Sequence, residues 1–167
     1  GGFLDPAFAA SGRIRIDGDD LTGVAAEKRR CGMLFQDPLL FPHLSVGGNL
    51  LFGLTPSIVK RDQRRRMVEQ ALADVELAGF FDRDPATLSG GQKARVALQR
   101  VMLSAPRVLL LDEPFSKLDS GLRQQTRSLI FSRAKAAGLP VVLVTHDQAD
   151  AQAAGGPVIV IGEDAGP

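Results

Sequence analysis

Short apolar runs and longer amphipathic segments alternate along this 167-residue chain. Three runs, CGMLF at 31–35, VLLL at 108–111 and VVLV at 141–144, have the length of a strand and are bounded by polar or turn residues. Continuous apolar runs of this length are typical of strands that are buried on both faces of a parallel sheet. The pattern therefore predicts three central strands, and VIVI at 158–161 predicts one more.

Helical periodicity is strongest between about residues 44 and 105. Within it, the segment 68–75 carries apolar residues at its first, fourth, fifth and eighth positions, which is the spacing of one helix face. Further helices are predicted over 92–105 and about 118–137, and the alternating segment 12–18, ending in Asp-Gly, predicts a β-hairpin. Buried strands separated by a helix favour an α/β fold with a parallel sheet.

Polar residues follow each of the three central strands. Gln36 comes after the first strand, Asp112 and Glu113 after the second, and His146 after the third. Ligands bind at the carboxyl ends of the strands in such sheets, so we expect these side chains to meet at one edge. A carboxylate there suits Mg²⁺, which prefers oxygen ligands, and Glu113 can accept a hydrogen bond from an attacking water. The alternative is that solvated acids simply end a strand and that His146 is an ordinary polar residue.

The segment LSGGQ at 88–92 opens one of the predicted helices. Ser89 and Gln92 have the spacing of a capping box, which satisfies the free backbone donors of the first turn. Gly90 and Gly91 are not needed for that, whereas glycines at a helix N-terminus let an anion approach the backbone amides. The segment is therefore a candidate phosphate site, although taken alone it is equally an ordinary helix start.

Composition narrows the functional class. Twenty basic and nineteen acidic residues give a net charge of +1, so no general affinity for nucleic acid is expected. The charge run at 60–66 lacks interleaved aromatics and is interpreted as a solvated helix start. The apolar runs are far shorter than the roughly 20 residues of a spanning helix, so direct membrane insertion is not expected. Cys31 is the only cysteine, which favours a reducing, cytoplasmic environment.

Five motifs together resemble the ATP-binding subunits of ABC transporters, and most closely those of bacterial importers for iron, thiamine, polyamines or sulfate. They are FQD at 35–37, LSGGQ at 88–92, LLLDEP at 109–114, SKLD at 116–119 and VTHD at 144–147. The resemblance implies an α/β P-loop NTPase (RecA-like) core with a parallel sheet and an inserted, mainly helical subdomain. The core would comprise 1–36 and 106–167, and the helical subdomain 37–105.

The resemblance also implies roles for individual residues. Gln36 would sense Mg²⁺ and the attacking water, Asp112 would bind Mg²⁺ through water, and Glu113 would be the general base. His146 would contact the γ-phosphate, and Asp119 would link the two halves of a dimer.

The remaining roles concern the helix start and the partner chains. Ser89, Gly90, Gly91 and Gln92 would form the signature motif, which binds the γ-phosphate of ATP held by the opposite subunit. The implied partners are a second ATP-binding subunit in a head-to-tail dimer and transmembrane permease subunits, which would place the chain at the cytoplasmic face of the membrane.

One departure from the family pattern affects the expected activity. The chain contains no G-x-x-x-x-G-K-[ST] phosphate loop, and no Tyr or Trp to stack on adenine. We therefore expect an N-terminally truncated core that neither binds ATP tightly nor hydrolyses it alone. Uncovered apolar faces and an open sheet edge should make the chain poorly stable or self-associating.

Two alternatives to a transport ATPase are open. A DNA-repair or chromosome-organising ABC ATPase would carry a long coiled coil between Gln36 and Ser89, but that span is compact and lacks sustained heptads. A degenerate, non-catalytic module is disfavoured because Glu113 and His146 are present. Apolar residues crowd around Gln36 and predict either a docking groove for a permease helix or ordinary packing: Phe35, Leu39, Leu40, Phe41, Leu44 and Leu50.

Overall fold

The computed structural model describes residues 11–55 and 60–161. Residues 1–10 and 162–167, which the sequence assigns to the ATPase core, and 56–59, assigned to the helical subdomain, lie outside that description. The described elements are, in chain order, β1 (Arg15–Ile16), β2 (Asp19–Asp20), β3 (Cys31–Phe35), α1 (Val46–Gly53), α2 (Arg61–Ala73), α3 (Gly90–Leu103), β4 (Val108–Asp112), α4 (Ser120–Ala136), β5 (Val141–Val144) and α5 (Gln148–Ala154).

Strands β3, β4 and β5 form a parallel sheet in that order. In the register, Leu34 lies opposite Leu111, which lies opposite Leu143 on the other side. Parallel neighbours require crossover connections, and the chain supplies α1–α3 between the first pair of strands and α4 between the second. The three predicted central strands and the parallel α/β arrangement are thus confirmed.

Two hydrophobic clusters lie on either side of α3. The helical cluster contains Val46, Leu50 and Leu72, which are almost completely buried between α1, α2 and α3. The sheet cluster packs Leu109 and Leu111 of β4 against α3 and α4. The helical region is tied to the sheet by α3, which contributes side chains to both clusters, and by Leu40 and Leu129, which pack against both. The subdomain limits at residues 36 and 106 stay a prediction.

The predicted helices are present with adjusted limits. The segment 68–75 lies mostly in α2, which extends back to Arg61, and α3 begins at Gly90 rather than Gln92. Helix α4 ends at Ala136, and Gly138 follows with a φ of 63°, the left-handed conformation that glycine tolerates best.

The predicted hairpin is also present, but it is short. β1 and β2 pair antiparallel over two residues each, around Asp17-Gly18. Ile14, expected to be half buried in the strand, precedes it and is 43% exposed.

The prediction of a strand at 158–161 is wrong for the described structure. These four side chains are 67–94% exposed and make no ladder hydrogen bonds. β-branched residues favour a strand only where a neighbouring strand accepts them, and within the described residues β5 pairs only with β4. The outer edge of β5 remains open.

Candidate functional site

The carboxyl ends of the three parallel strands are aligned by the sheet register. Phe35, Asp112 and Val144 are direct neighbours across β3, β4 and β5. The residues that follow these strands therefore emerge at the same edge, as expected from the sequence. This edge brings together the polar groups that follow β4 and β5.

Glu113 and His146 form a hydrogen-bonded pair at this edge. One carboxylate oxygen, Oε1 of Glu113, lies 2.6 Å from Nδ1 of His146 and accepts a hydrogen bond from the His146 backbone N–H at 3.1 Å. The second oxygen, Oε2, has no hydrogen-bond partner among the described residues, so it is available to a ligand or a water. Because Nδ1 faces Glu113, Nε2 lies on the opposite side of a ring that is 77% exposed.

The backbone of Glu113 is fixed in an uncommon conformation. Its φ is 49°, in the left-handed region that non-glycine residues rarely adopt. The Glu113 N–H donates to the carbonyl of Val144 at 3.0 Å, which extends the β4–β5 pairing by one residue. The turn thus directs the side chain across the sheet edge toward His146. Left-handed backbone at non-glycine residues occurs preferentially at functional sites.

Asp112 and Gln36 are exposed beside this pair, at the ends of adjacent strands. Within the described residues, neither side chain makes a hydrogen bond or ion pair. Mg²⁺ commonly takes only one or two protein oxygens and keeps several waters, so a free carboxylate and amide on adjacent strand ends fit this ion. No group of three or more His, Cys, Asp or Glu side chains suited to a metal cage is found in the described part of the chain.

The start of α3 has the capping geometry that the sequence predicts. Ser89 Oγ accepts from the Gln92 N–H at 3.3 Å, and Gln92 Oε1 accepts from the Ser89 N–H at 3.0 Å. Ser89 and Gly90 are exposed, and a Cβ at Gly90 would lie 3.8 Å from its nearest neighbour, a methyl of Leu118. The open approach expected for an anion therefore exists at Gly90.

Gly91, unlike Gly90, packs against a neighbouring helix. It is buried, and a Cβ there would lie only 2.8 Å from Cγ of Leu122 in α4. This glycine permits close packing between α3 and α4, because a larger residue would overlap the leucine. The two glycines look alike in sequence, yet Gly90 faces open space and Gly91 faces a neighbouring helix.

A cleft of about 200 Å³ connects the Gln36 segment to the start of α3. Gln36, Gly90, Lys93 and Lys117 all line it, and Lys117 also pairs with Asp37 at 2.6 Å. Neither lysine was predicted from the sequence. Lys93 directly follows SGGQ and Lys117 lies within SKLD, which is the signal that would have found them.

Asp119 caps α4 through a hydrogen bond from the Leu122 N–H at 3.0 Å and is exposed. No hydrogen bond joins Asp119, Ser89 or Gln92 to Glu113 or His146 within the described residues. Gln36 and Gly90 nevertheless line the same cleft, so the two groups of predicted site residues meet there.

The apolar groove predicted around Gln36 is only partly present. Leu50 is completely buried in the helical cluster, so for this residue the structure shows ordinary packing, the second of the two predicted alternatives. Leu39 and Phe52 are 57% and 68% exposed. The rings of Phe52 and Phe41 pack edge-on, with their centroids 4.7 Å apart. The guanidinium of Arg100 closes the groove from α3, and burial lowers its pKa.

Comparison with known proteins identifies the pattern. Residues 2–116 match the family model described as ABC transporter. The chain is 47% identical over 152 residues to the ABC transporter ATP-binding protein YnjD of Escherichia coli, covering 91% of this chain and 70% of that protein.

Two further relatives are named import proteins. The spermidine/putrescine import ATP-binding protein PotA of Pseudomonas aeruginosa is 47% identical, with 86% of this chain and 39% of the relative covered. The Fe(3+) ions import ATP-binding protein FbpC of Pasteurella multocida is 44% identical, with 90% and 43% covered. The chain thus spans less than half the length of these two relatives.

A solved structure has the same fold. The ATP-binding cassette MJ0796, determined as a dimer in a post-hydrolysis state bound to ADP and Pi, superimposes with a TM-score of 0.70 at 29% sequence identity. The match covers 86% of this chain and 66% of that one. Among the described residues, no helix is both long and apolar enough to cross a membrane.

Proposed function

The chain belongs to the ABC transporter family of ATP-binding proteins, and from that premise we propose that it acts in the ATP-hydrolysing subunit that energises solute transport. The observation that carries the proposal is the pair formed by Glu113 and His146, at 2.6 Å, beside the free carboxylate of Asp112. An acid with one oxygen anchored and the other open is placed to accept a proton from water.

In this proposal Glu113 is the general base and His146 orients it. Nδ1–H donates to Glu113, and in the protonated ring Nε2–H faces outward, where it can donate to the γ-phosphate of ATP. Gln36 positions the attacking water and contributes to the Mg²⁺ site, with Asp112 holding the ion through water. Bound Mg²⁺ would neutralise charge on the phosphoryl group during transfer.

The start of α3 is proposed to act on a nucleotide of the opposite subunit. Ser89 and Gly90 are exposed at the N-terminus of α3, a helix of 14 residues, where free amides and the helix dipole favour an anion. Gln92 completes the capping box, Gly91 brings α4 close, and Asp119 at the start of α4 would contact the partner. The dimeric state of the solved ATP-binding cassette MJ0796 supports a dimer, which we propose to be head-to-tail, with each chain supplying one half of a site.

The chain in its present form is proposed to be inactive. It contains no G-x-x-x-x-G-K-[ST] loop, so the amides and lysine that would hold the triphosphate are missing from these 167 residues. Without them, Asp112 and Glu113 would face the phosphates with negative charge.

Transmembrane permease subunits are the proposed partners of the complete transporter, at the cytoplasmic side of the membrane. The named import functions of PotA and FbpC support an importer. Leu39, Phe41 and Phe52 form the exposed apolar surface that a permease helix would contact. The solute itself is selected outside this chain.

Isothermal titration calorimetry of the 167-residue chain with Mg·ATP tests the expected inactivity. We expect no binding in the micromolar range and no phosphate release. Micromolar binding would contradict the assignment of the phosphate loop as the missing determinant.

The role of Glu113 is tested in a longer chain that carries a phosphate loop. There, Glu113→Gln should retain nucleotide binding and lose most of the turnover, about 100-fold or more, because the amide cannot accept the proton. Asp37→Asn is the control, since Asp37 lies at the same sheet edge but pairs with Lys117. If Glu113→Gln turns over ATP as fast as Asp37→Asn, Glu113 is not the base.

A further inference from the structure

A buried carboxylate joins α4 to α5. Asp150 is 1% exposed, and its two oxygens bind two arginines of α4. Oδ2 lies 2.6 Å from Nη2 of Arg123, and Oδ1 lies 2.9 Å from Nη1 of Arg127. A buried charge requires such partners, and removing one of them commonly costs several kcal/mol. This cluster therefore fixes where α5 begins relative to α4.

Only one of the two arginines reaches the residue after His146. Nη2 of Arg123 lies 3.1 Å from Oδ2 of Asp147, whereas the ion pair that Arg127 makes among the described residues is with Asp150. The other carboxylate oxygen of Asp147, Oδ1, accepts from the backbone N–H groups of Ala149 and Asp150 and caps α5. Those two hydrogen bonds, with Asp150 first, lower the pKa of Asp147 against the opposing effect of burial, and the charges of Arg123 and Arg127 also lower it.

The ring of His146 depends on this backbone placement. It is 77% exposed, and the described residues offer it only one side-chain hydrogen bond, to Glu113. A ring with so little packing is oriented by where its own backbone lies. Asp147 follows directly in sequence, so a shift of Asp147 would move the His146 N–H and Nδ1 away from Glu113.

Arg123 also lies one turn from the proposed dimer contact. Its backbone N–H donates to the carbonyl of Asp119 at 2.8 Å, in the first turn of α4. A continuous path of bonded groups therefore runs from Asp119 through Arg123 and Asp147 to His146 and Glu113.

We infer that Arg123 is a positioning residue, which holds the loop of His146 so that the ring meets Glu113 and which links that pair to Asp119 on α4. The catalytic importance of Arg123 rests on the proposed function. Its effect on the position of the His146 ring can be measured in this chain without nucleotide.

NMR of the two histidines provides the test. The chain contains only His43 and His146, so long-range ¹H–¹⁵N spectra of the imidazole rings give two assignable sets of signals. At a pH where both rings are neutral, we expect His146 to be mainly the Nδ1–H tautomer, because Glu113 accepts at that nitrogen. In Arg123→Met, the His146 signals should move to the mixed, mainly Nε2–H pattern of a free imidazole, while those of His43 stay unchanged.

Arg127→Met is the matched control. It also deprives the buried Asp150 of one partner, but it leaves the contact between Arg123 and Asp147 in place. We expect its His146 tautomer to remain that of the unmodified chain, even where the free energy of unfolding falls as much as in Arg123→Met. Arg123→Lys, which keeps a cation within reach of Asp147, should restore part of the Nδ1–H population.

Asp147→Asn covers the case in which Arg123→Met fails to fold. Asparagine can still accept the two capping hydrogen bonds, but it loses the charge that attracts Arg123, so a partial shift of the His146 tautomer is expected. An unchanged His146 tautomer in folded Arg123→Met, or in Asp147→Asn if the former does not fold, would overturn the inference. Equal shifts in Arg123→Met and Arg127→Met would also overturn it. Retained turnover in the Glu113→Gln enzyme would instead overturn the proposed function and leave these spectra unaffected.

Discussion

At the scale of single residues, Gly90 and Gly91 show how neighbours in sequence acquire different constraints from the fold. Gly90 has no neighbour closer than 3.8 Å to a hypothetical Cβ, whereas Gly91 packs against Leu122. The open space at Gly90 leaves room for an anion. At Gly91, the short distance between α3 and α4 leaves little room for a side chain.

This difference predicts opposite outcomes for two alanine substitutions. Gly91→Ala should lower the free energy of unfolding by about 1–3 kcal/mol, because the added methyl overpacks the contact with Leu122. Gly90→Ala should change it by less than about 0.5 kcal/mol, since the site is open. Urea unfolding measures both changes in the free energy of unfolding, provided that the two variants have the same m-value.

Leu122→Ala supplies the internal check on that explanation. Added to Gly91→Ala, it removes the side chain that the methyl meets, so the double variant should be more stable than the sum of the two single effects predicts. Strict additivity would show that Gly91 is constrained by something other than Leu122.

The chemical groups at the strand ends were predictable from the sequence, but the contacts that position them were not. Glu113 and His146 were predictable because polar residues after parallel strands share one edge. Arg123 and Asp150 were not identified, because a buried charge and its partners depend on how α4 and α5 pack, and spacing along the chain does not reveal that. For Leu50 the sequence left two alternatives open, because an apolar residue near Gln36 can face either a groove or a core.

At the scale of elements, the segment between β3 and α1 is held by buried polar groups rather than by apolar packing alone. Asn49 is completely buried in α1, accepts from the Phe41 N–H at 2.8 Å and donates to the Phe41 carbonyl at 3.1 Å. Arg100 of α3 donates to the carbonyls of Pro38 and Leu39, where Leu39 has a φ of 45°. Two helices thus fix the chain that follows Gln36.

Asn49→Ala should therefore destabilise the protein strongly. It leaves the Phe41 N–H without its acceptor and opens a small cavity, for which we expect a loss of about 2–3 kcal/mol in the free energy of unfolding. Gln70→Ala is the control, because Gln70 makes an exposed side-chain hydrogen bond to Asp74 one turn away and should cost less than about 0.5 kcal/mol. Equal urea midpoints for the two variants would contradict the proposed role of Asn49.

The types of the helices and of the three central strands were predictable from periodicity. The strand predicted at 158–161 is absent, and the reason lies in how a sheet forms. VVLV and VIVI have similar composition, yet only the first has a neighbouring strand, β4, in the described residues. A strand is completed by its partner, so local sequence predicts only the capacity to form one.

At the scale of the whole molecule, the outer edge of β5 has no pairing strand among the described residues. Val142 and Val144 are 53% and 57% exposed, and the apolar residues 158–161 lie nearby without pairing. Backbone donors and acceptors along an unpaired strand, flanked by exposed apolar side chains, readily pair with another chain.

We therefore expect the 167-residue chain to self-associate through β5. Sedimentation velocity should show a weight-average mass that rises with concentration, and the double substitution Val142→Lys, Val144→Lys should return the chain to monomer, because charged side chains on an edge strand oppose pairing. Phe52→Lys is the control, as it removes a similarly exposed apolar side chain on α1, away from the sheet edge, and should leave the association unchanged. If Phe52→Lys alone abolishes association, the apolar groove beside α1 is the contact surface. If the unmodified chain is monomeric at every concentration, the edge of β5 is protected in solution.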